Sequence, residues 1–134
     1  MILQDIYNFL AADAVLKNLL SASGKDSKIY PNIAKIMSAP PFLVYRSSNH
    51  GGTQNEILSE EILDVIITAQ NFETVCLISA RLTELLDGVT DIPSDIFYIY
   101  HSKKTGGADY ADELYRNVRV LNFNLKFRSK KDIL

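Results

Sequence analysis

The sequence has little cysteine or histidine and lacks the common motifs of enzyme active sites. Its single cysteine, Cys76, excludes an internal disulfide bond, so we expect synthesis in a reducing compartment. The two histidines, His50 and His101, have no thiol or carboxylate at a metal-ligand spacing. No P-loop, dinucleotide fingerprint, nucleophile elbow or Ser-His-Asp set is present. We therefore expect a protein that is not an enzyme and needs no cofactor or metal.

Long apolar runs and a strong charge imbalance are also absent. The formal net charge of −2 gives no general attraction to nucleic acid. No apolar segment approaches the roughly 20 residues of a membrane helix, and the first residues lack the basic leader of a signal peptide. A chain of 134 residues is most simply one domain, spanning 1–134. We expect residues 129–134 to form a flexible tail, with the nearby lysines and arginine solvated.

Helical spacing of apolar residues recurs in three segments. The first predicts an amphipathic helix over residues 2–11, and Asp13 is placed to cap a second, short helical turn. The third predicts a helix over 72–86, with Asn71 as its N-cap and Gly88 as its left-handed C-terminal residue. Its predicted apolar stripe comprises Phe72, Val75, Ile78, Leu82, Leu85 and Leu86.

Alternating apolar and polar residues predict four strands. They lie at 42–46, 57–69, 96–101 and 118–128. The segment 28–36 contains Pro31, so it is either an edge strand or an irregular crossing segment. Loops between successive strands allow antiparallel pairing. We therefore predict an α+β domain with a four-stranded, mainly antiparallel sheet, the central helix on one face and an N-terminal helix.

Two polar segments that contain glycine are predicted to be long loops, at 47–56 and 102–113. Tyr98 and Tyr100 share one face of a predicted strand. Tyr110 and Tyr115 lie in or beside the second loop, and these tyrosines are equally consistent with an interface and with ordinary core or rim positions. We hypothesise that the loops make intermolecular contacts. The candidate interface residues are Asn49, His50, Gly51, Gly52, Lys103, Lys104, Gly106 and Tyr110.

Three other features are candidate sites of chemistry. Cys76 is predicted to be a small buried residue rather than a reactive thiol. The segment His50-Gly51-Gly52 fits a flexible loop better than an anion-binding nest, because no basic residue accompanies it. The acidic residues near 109–113 fit solvated loop charges better than a calcium loop, which needs more oxygen ligands and a central glycine.

Several apolar patterns together resemble the tail terminator (tail completion) proteins of long-tailed bacteriophages. These patterns are the leading segment IYNFLAADAVLKNLL, the KIYPNIA segment, the proline-led APPFLVY strand, the ILDVIITA strand and the helix that ends in ELLDG. The resemblance extends over about residues 3–128. That family offers no catalytic residues to carry over.

The resemblance implies a role in virion assembly. It implies a hexameric ring of the chain itself, which caps the tail tube, stops its polymerisation and forms the tail side of the head–tail joint. The implied partners are the tail tube protein and the head connector or stopper protein, first in the host cytoplasm and then in the virion. Membranes and specific nucleic acids are not expected partners. Two alternatives stay open: a head-completion or adaptor protein of the phage neck, and an α+β domain that binds a small ligand or acts as an enzyme.

Overall fold

The computed structural model describes residues 2–21, 27–33, 39–49, 59–88, 92–95 and 97–130. Within these residues the chain forms three helices and five strands. The helices are α1 (Ile2–Ala11), α2 (Ala14–Leu19) and α3 (Phe72–Leu86). The strands are β1 (Ile29–Pro31), β2 (Phe42–Asn49), β3 (Ser59–Ala69), β4 (Phe97–Ala111) and β5 (Asn117–Ser129).

The strands form one mixed sheet in the order β1-β2-β3-β5-β4. All neighbours are antiparallel except β1 and β2, which run parallel. The predicted α+β class is confirmed, but the prediction of four strands is wrong because the described sheet has five. The fifth strand is β1, for which the edge-strand alternative proves correct. It is only three residues long and ends at Pro31, so alternation could not reveal it.

The two N-terminal helices form as predicted. Helix α1 has the predicted bounds, and Ile6 and Leu10 on its inner face are fully buried. The Asp13 carboxylate caps α2 by accepting a hydrogen bond from the backbone N–H of Leu16 at 2.8 Å. The same carboxylate also accepts a hydrogen bond from the Nε of Arg81 on α3 at 2.9 Å. Asp13 therefore both caps α2 and links it to the central helix. This ion pair joins residues 68 positions apart, so local sequence patterns do not indicate it.

Helix α3 is confirmed from end to end. Asn71 accepts a hydrogen bond from the N–H of Glu73 at 2.8 Å, and Gly88 beyond the C-terminus has a left-handed φ of 67°. Arg81 and Glu84, which lie three residues apart on the helix, form an ion pair at 2.9 Å. The predicted apolar stripe is wrong at its first residue, because Phe72 is 51% exposed.

The main core lies between the helices and one face of the sheet. The predicted packing of the central helix on one face of the sheet is confirmed, since α3, β3 and β5 contribute to one buried cluster. Phe123 is the largest of the fully buried side chains in this layer. The buried members from α3, β3 and β5 are Val75, Ile78, Leu82, Leu86, Leu63, Val65, Ile67, Ala69, Leu121, Phe123 and Leu125.

The other face of the sheet carries a smaller apolar cluster and a buried acid. Tyr30, Phe42 and Val44 pack together beside β1. Asp64 on β3 is only 3% exposed, and it accepts hydrogen bonds from the Nε of Arg46 at 3.4 Å and from the side-chain amide of Asn122. These partners allow a carboxylate to lie buried on a sheet face.

Candidate interaction surface

The predicted interface residues that the structure describes lie on strands rather than in loops. The prediction of a loop at 102–113 is wrong, because β4 continues through Ala111 as an edge strand of the described sheet. Lys103, Lys104, Gly106 and Tyr110 all lie on this strand. Residues 105–111 of this strand are exposed on both faces, so they do not alternate in polarity and resemble a polar loop.

The first predicted loop is corrected in part. Residues 47–49 continue β2, so Asn49 is the last residue of a strand. His50, Gly51 and Gly52 lie outside the described residues. Asn49 and Lys103 share one row across the sheet, through Ile62 and Asn124. Three strand spacings separate them, about 14 Å. Their role in an interface stays a prediction.

The predicted flexible tail does not begin at residue 129. Ser129 is the last residue of β5. Lys130 donates a hydrogen bond from Nζ to the backbone carbonyl of Ser94 at 2.8 Å. These two residues are therefore part of the folded domain, and residues 131–134 lie outside the described part of the chain.

The glycines of β4 serve the pairing of this strand with β5. The register of the pair shifts between Lys104 and Gly106, which marks an irregularity of the β-bulge type. A Cβ atom on Gly107 would lie 2.4 Å from the backbone carbonyl oxygen of Val120, so only glycine fits there without movement of the backbone. A Cβ atom on Gly106 would meet nothing closer than 3.8 Å. Close approach to β5, and not loop flexibility, accounts for Gly107.

The first part of β4 presents aromatic and basic side chains together. The rings of Tyr98 and Tyr100 stack with their centroids 6.2 Å apart, and both are about two-fifths exposed. The Arg128 guanidinium lies 5.5 Å from the centroid of Tyr100, and the Lys130 ammonium lies 5.2 Å from that of Tyr98. These distances are those of cation–π contacts. The prediction that Tyr98 and Tyr100 share a strand face is confirmed.

These tyrosines border a small open groove, which we call the aromatic groove. Its volume is about 200 Å³. This is below the roughly 300–1,000 Å³ of most small-molecule sites, so it suits an inserted side chain better than a cofactor. Its lining residues are Ile92, Pro93, Ser94, Phe97, Tyr98, Ile99, Tyr100 and Lys130.

The turn of residues 112–116 joins β4 to β5, and we call it the hairpin tip. Oδ1 of Asp112 accepts hydrogen bonds from the N–H groups of Leu114 at 3.0 Å and Arg116 at 2.9 Å. Its Oδ2 accepts one from the Nε of Arg116 at 2.8 Å. Leu114 and Tyr115 are 67% and 89% exposed, and Tyr115 has a left-handed φ of 60°. The tip is therefore a hydrogen-bonded turn that holds two large apolar side chains in solvent.

The hairpin tip is also fixed to the sheet behind it. The Arg116 guanidinium lies 5.5 Å from the centroid of the Phe42 ring, and Asn117 donates to the backbone carbonyl of Gln70 at 3.0 Å. Sequence reasoning did not single out this turn. The available signal was an aspartate at the start of a short polar segment, because Asp side chains commonly organise the backbone two or more residues ahead.

A second groove lies between α3 and β4. It has a volume of about 500 Å³, and the lining includes Gly106, Gly107, Asp109 and Arg119. Asp109 and Arg119 bind each other through two hydrogen bonds of 2.7 and 3.0 Å. The hydrogen bond from Arg119 lowers the pKa of Asp109, and the pKa of Arg119 is raised by the same contact. The two charged groups therefore satisfy each other instead of pointing jointly at a ligand.

The other candidate sites of chemistry are Cys76 and the acidic residues near 109–113, and none of them forms a reactive or metal-binding arrangement among the described residues. Cys76 is half-buried rather than buried as predicted, and it lies beside Arg119. Asp109 and Asp112 each pair with an arginine, so they are not merely solvated. Among the described residues no group of three or more potential metal ligands comes together. None of the described helices has the length and apolar character needed to cross a membrane.

Comparison with known proteins identifies the fold. No family model and no curated protein matches the sequence. A chain in the structure of the virion of a native gene transfer agent (GTA) particle matches with a TM-score of 0.60 and 18% identity, over 92% of this chain and 90% of that one. A second solved structure, of a protein without a functional description, matches with a TM-score of 0.55 and 8% identity, over 95% of both chains. At these identities the likeness establishes a shared fold.

Proposed function

We propose that the chain is a structural protein of a phage-like particle. The observation that carries this proposal is the fold shared with a chain of a gene transfer agent virion along nearly the whole length of both. The resemblance of the sequence to tail terminators supports the same class of function. The shape of the domain also supports it, since a long edge strand and a preformed apolar turn are surfaces suited to partner proteins.

Within that class we propose the role of a tail terminator. Copies of the chain form a ring, which we expect to be hexameric, at the end of the tail tube. The ring stops polymerisation of the tube protein and forms the tail side of the junction with the head connector. The protein acts through the fit of its surfaces to those of its partners, and its side chains make or break no covalent bond. We assign the contacts with neighbouring protein chains to β4 and the hairpin tip, in place of the predicted loop at 102–113.

The test is removal of the gene from the phage or prophage that encodes it, followed by electron microscopy of the particles. Unattached tails of uncontrolled length, rescued by the wild-type chain supplied in trans, are the expected result. Tails of normal length beside heads that have lost their DNA would instead indicate a head-completion or adaptor protein. Normal infectious particles would contradict any role in assembly.

A further inference from the structure

The two ends of the β4–β5 hairpin carry surfaces of opposite character. At one end, the hairpin tip exposes Leu114 and Tyr115 next to the exposed acid Glu113. At the other end lies the aromatic groove, with Tyr98, Tyr100 and Lys130 in its lining. One end therefore projects apolar side chains and the other has a recess lined by rings and a cation.

The charges at the two ends are complementary. In the hairpin tip Asp112 pairs with Arg116, so the side chain of Glu113 supplies the net negative charge. At the aromatic groove Arg128 and Lys130 lie over the two tyrosine rings. The exposed Asp95 and the carboxylate of Asp5, which accepts a hydrogen bond from the Ser94 hydroxyl at 2.8 Å, offset these two positive charges. The complementarity is therefore local: Lys130 lines the groove, and Glu113 projects from the hairpin tip. Opposite charges placed at a contact favour a defined orientation of the two surfaces.

Both surfaces are ready for contact without large rearrangement. The hydrogen bonds of Asp112 hold the hairpin tip, and the hydrogen bond from Lys130 to Ser94 holds one wall of the groove. Surfaces that are ordered beforehand lose less conformational entropy on binding. A recess of about 200 Å³ is also of a size to take a large side chain.

The two surfaces cannot meet within one copy of the chain. Glu113 lies thirteen residues beyond Tyr100 along the hairpin, which is about 40 Å at roughly 3.3 Å per strand residue. A contact between them therefore joins two copies head to tail. Such a heterologous contact leaves a free tip and a free groove on every pair, and it produces a ring when the rotation closes.

We propose that the hairpin tip of one copy docks into the aromatic groove of a second copy. Leu114 and Tyr115 pack against Tyr98 and Tyr100, and Glu113 faces Lys130. This contact rests on the proposed function because it supplies the joint between neighbouring subunits of the ring. It uses the two ends of the hairpin and leaves the middle of β4 out of the joint.

A disulfide between copies tests the contact directly. The chain carries Glu113→Cys and Lys130→Cys in a Cys76→Ser background, so that it has no other thiol. Mild oxidation is expected to give a ladder of disulfide-linked multimers that ends at one closed species. Two cysteines about 40 Å apart cannot bond within one copy, since a disulfide needs Cα atoms within roughly 7 Å. The matched control pairs Glu113→Cys with Lys17→Cys on the exposed side of α2, and it is expected to give no ladder.

Charge reversal tests the same contact by rescue. Glu113→Lys alone is expected to weaken self-association about tenfold, and the double variant with Lys130→Glu is expected to recover most of this loss. Analytical ultracentrifugation measures the association. Thermal unfolding of each variant separates lost docking from lost folding, which matters for Lys130 because it also binds Ser94. Glu113 is exposed, so its variant should unfold at the wild-type temperature.

The outcomes separate this contact from the proposed function. Rings that cap tail tubes but give neither the ladder nor the rescue would overturn the contact and leave the tail terminator role intact. Rings that persist in Glu113→Lys but no longer bind tubes would also overturn it, because the tip would then face the tube. A wild-type chain that forms no ring, with normal tails in its absence, would overturn both.

Discussion

The sheet ends in two very different edge strands, β1 with three residues and β4 with fifteen. The shorter edge ends at Pro31, which cannot donate a ladder hydrogen bond and so discourages strand addition. The longer edge has a different protection at its middle, where the N–H of Lys104 donates to the Asp87 carboxylate at 2.9 Å. Lateral pairing is thus hindered at Pro31 on one edge and at Lys104 on the other, while the apolar contact surfaces lie at the two ends of β4. The comparison favours docking by the ends of the hairpin over addition of another strand.

The largest expected effect comes from a core substitution beneath the longer edge strand, β4. β4 reaches the core through β5, whose Phe123 is fully buried. Phe123→Ala is expected to lower the free energy of unfolding by about 3–5 kcal/mol, because it removes apolar contacts and leaves a cavity. Urea denaturation measures the loss. The control is Phe127→Ala, four residues further along the same face of β5 and only half-buried, where a smaller loss is expected. Equal losses for the two variants would contradict this account of the core.

A smaller effect should distinguish the two neighbouring glycines of β4. Gly107→Ala places a methyl group against the backbone carbonyl of Val120, so the strand must shift, and a loss of about 1–3 kcal/mol is expected. Gly106→Ala has room for its methyl group and is expected to change stability by less than about 0.5 kcal/mol. Denaturant unfolding of both variants checks the difference. The loop interpretation of this segment predicts no difference between them, so equal stability would reinstate it.

The contrast between the edges also shows which features the sequence could reveal. α3 was predicted with correct bounds because its caps, Asn71 and Gly88, and its apolar spacing are local signals. β5 was recognised because one of its faces is buried and the other is not. The second half of β4 is exposed on both faces and depends on pairing with β5, which is distant information. β1 is only three residues long, so its sequence could not decide between the two alternatives for this segment, an edge strand and an irregular crossing segment.

None of the predicted interface residues that the structure describes lies in the hairpin tip or in the lining of the aromatic groove. Lys103, Gly106 and Tyr110 are exposed on the edge strand β4, and their role in an interface stays a prediction. The hairpin tip was missed because its shape depends on the side chain of Asp112 binding Arg116 four residues later. The aromatic groove was missed because it joins residues 92–94 and 97–100 to Lys130 across the fold. Alternation and cap signals cannot report such contacts.

Acid should loosen the tip of the longer edge before it affects β1, which contains no carboxylate. The hydrogen bond from Arg119 lowers the pKa of Asp109 below its ordinary value of 3.8. For Asp112, burial acts to raise the pKa, but hydrogen bonds from Arg116 and Leu114 outweigh it and the net pKa is lowered. A lowered pKa in the folded state gives stability that is full above the unfolded value and is lost as pH falls through the folded value.

The measurement is amide hydrogen exchange by NMR from about pH 6 to about pH 3. After correction for the intrinsic pH dependence, protection near residues 110–118 is expected to fall below about pH 4, while protection in β1 is kept. Asp112→Asn keeps the shape of the side chain and removes its titration, so in that variant the loss at the tip should depend less on pH. Equal loss in both edges would show that acid unfolds the domain as a whole.

The smallest expected effect is a gain in stability at the hairpin tip. Tyr115 holds a left-handed φ of 60° with its side chain 89% exposed, so it bears the steric cost of this conformation without the compensation of burial. Tyr115→Asn is expected to raise the free energy of unfolding by up to about 1 kcal/mol, since asparagine tolerates this region better. Leu114→Asn is the control, because Leu114 is exposed but has no left-handed φ, and no gain is expected there. Denaturant midpoints measure both variants.

If docking by the tip is correct, Tyr115→Asn should form rings less readily although its fold is more stable, because the aromatic contact is lost. A variant that is both less stable and unchanged in association would contradict the strain and the docking together.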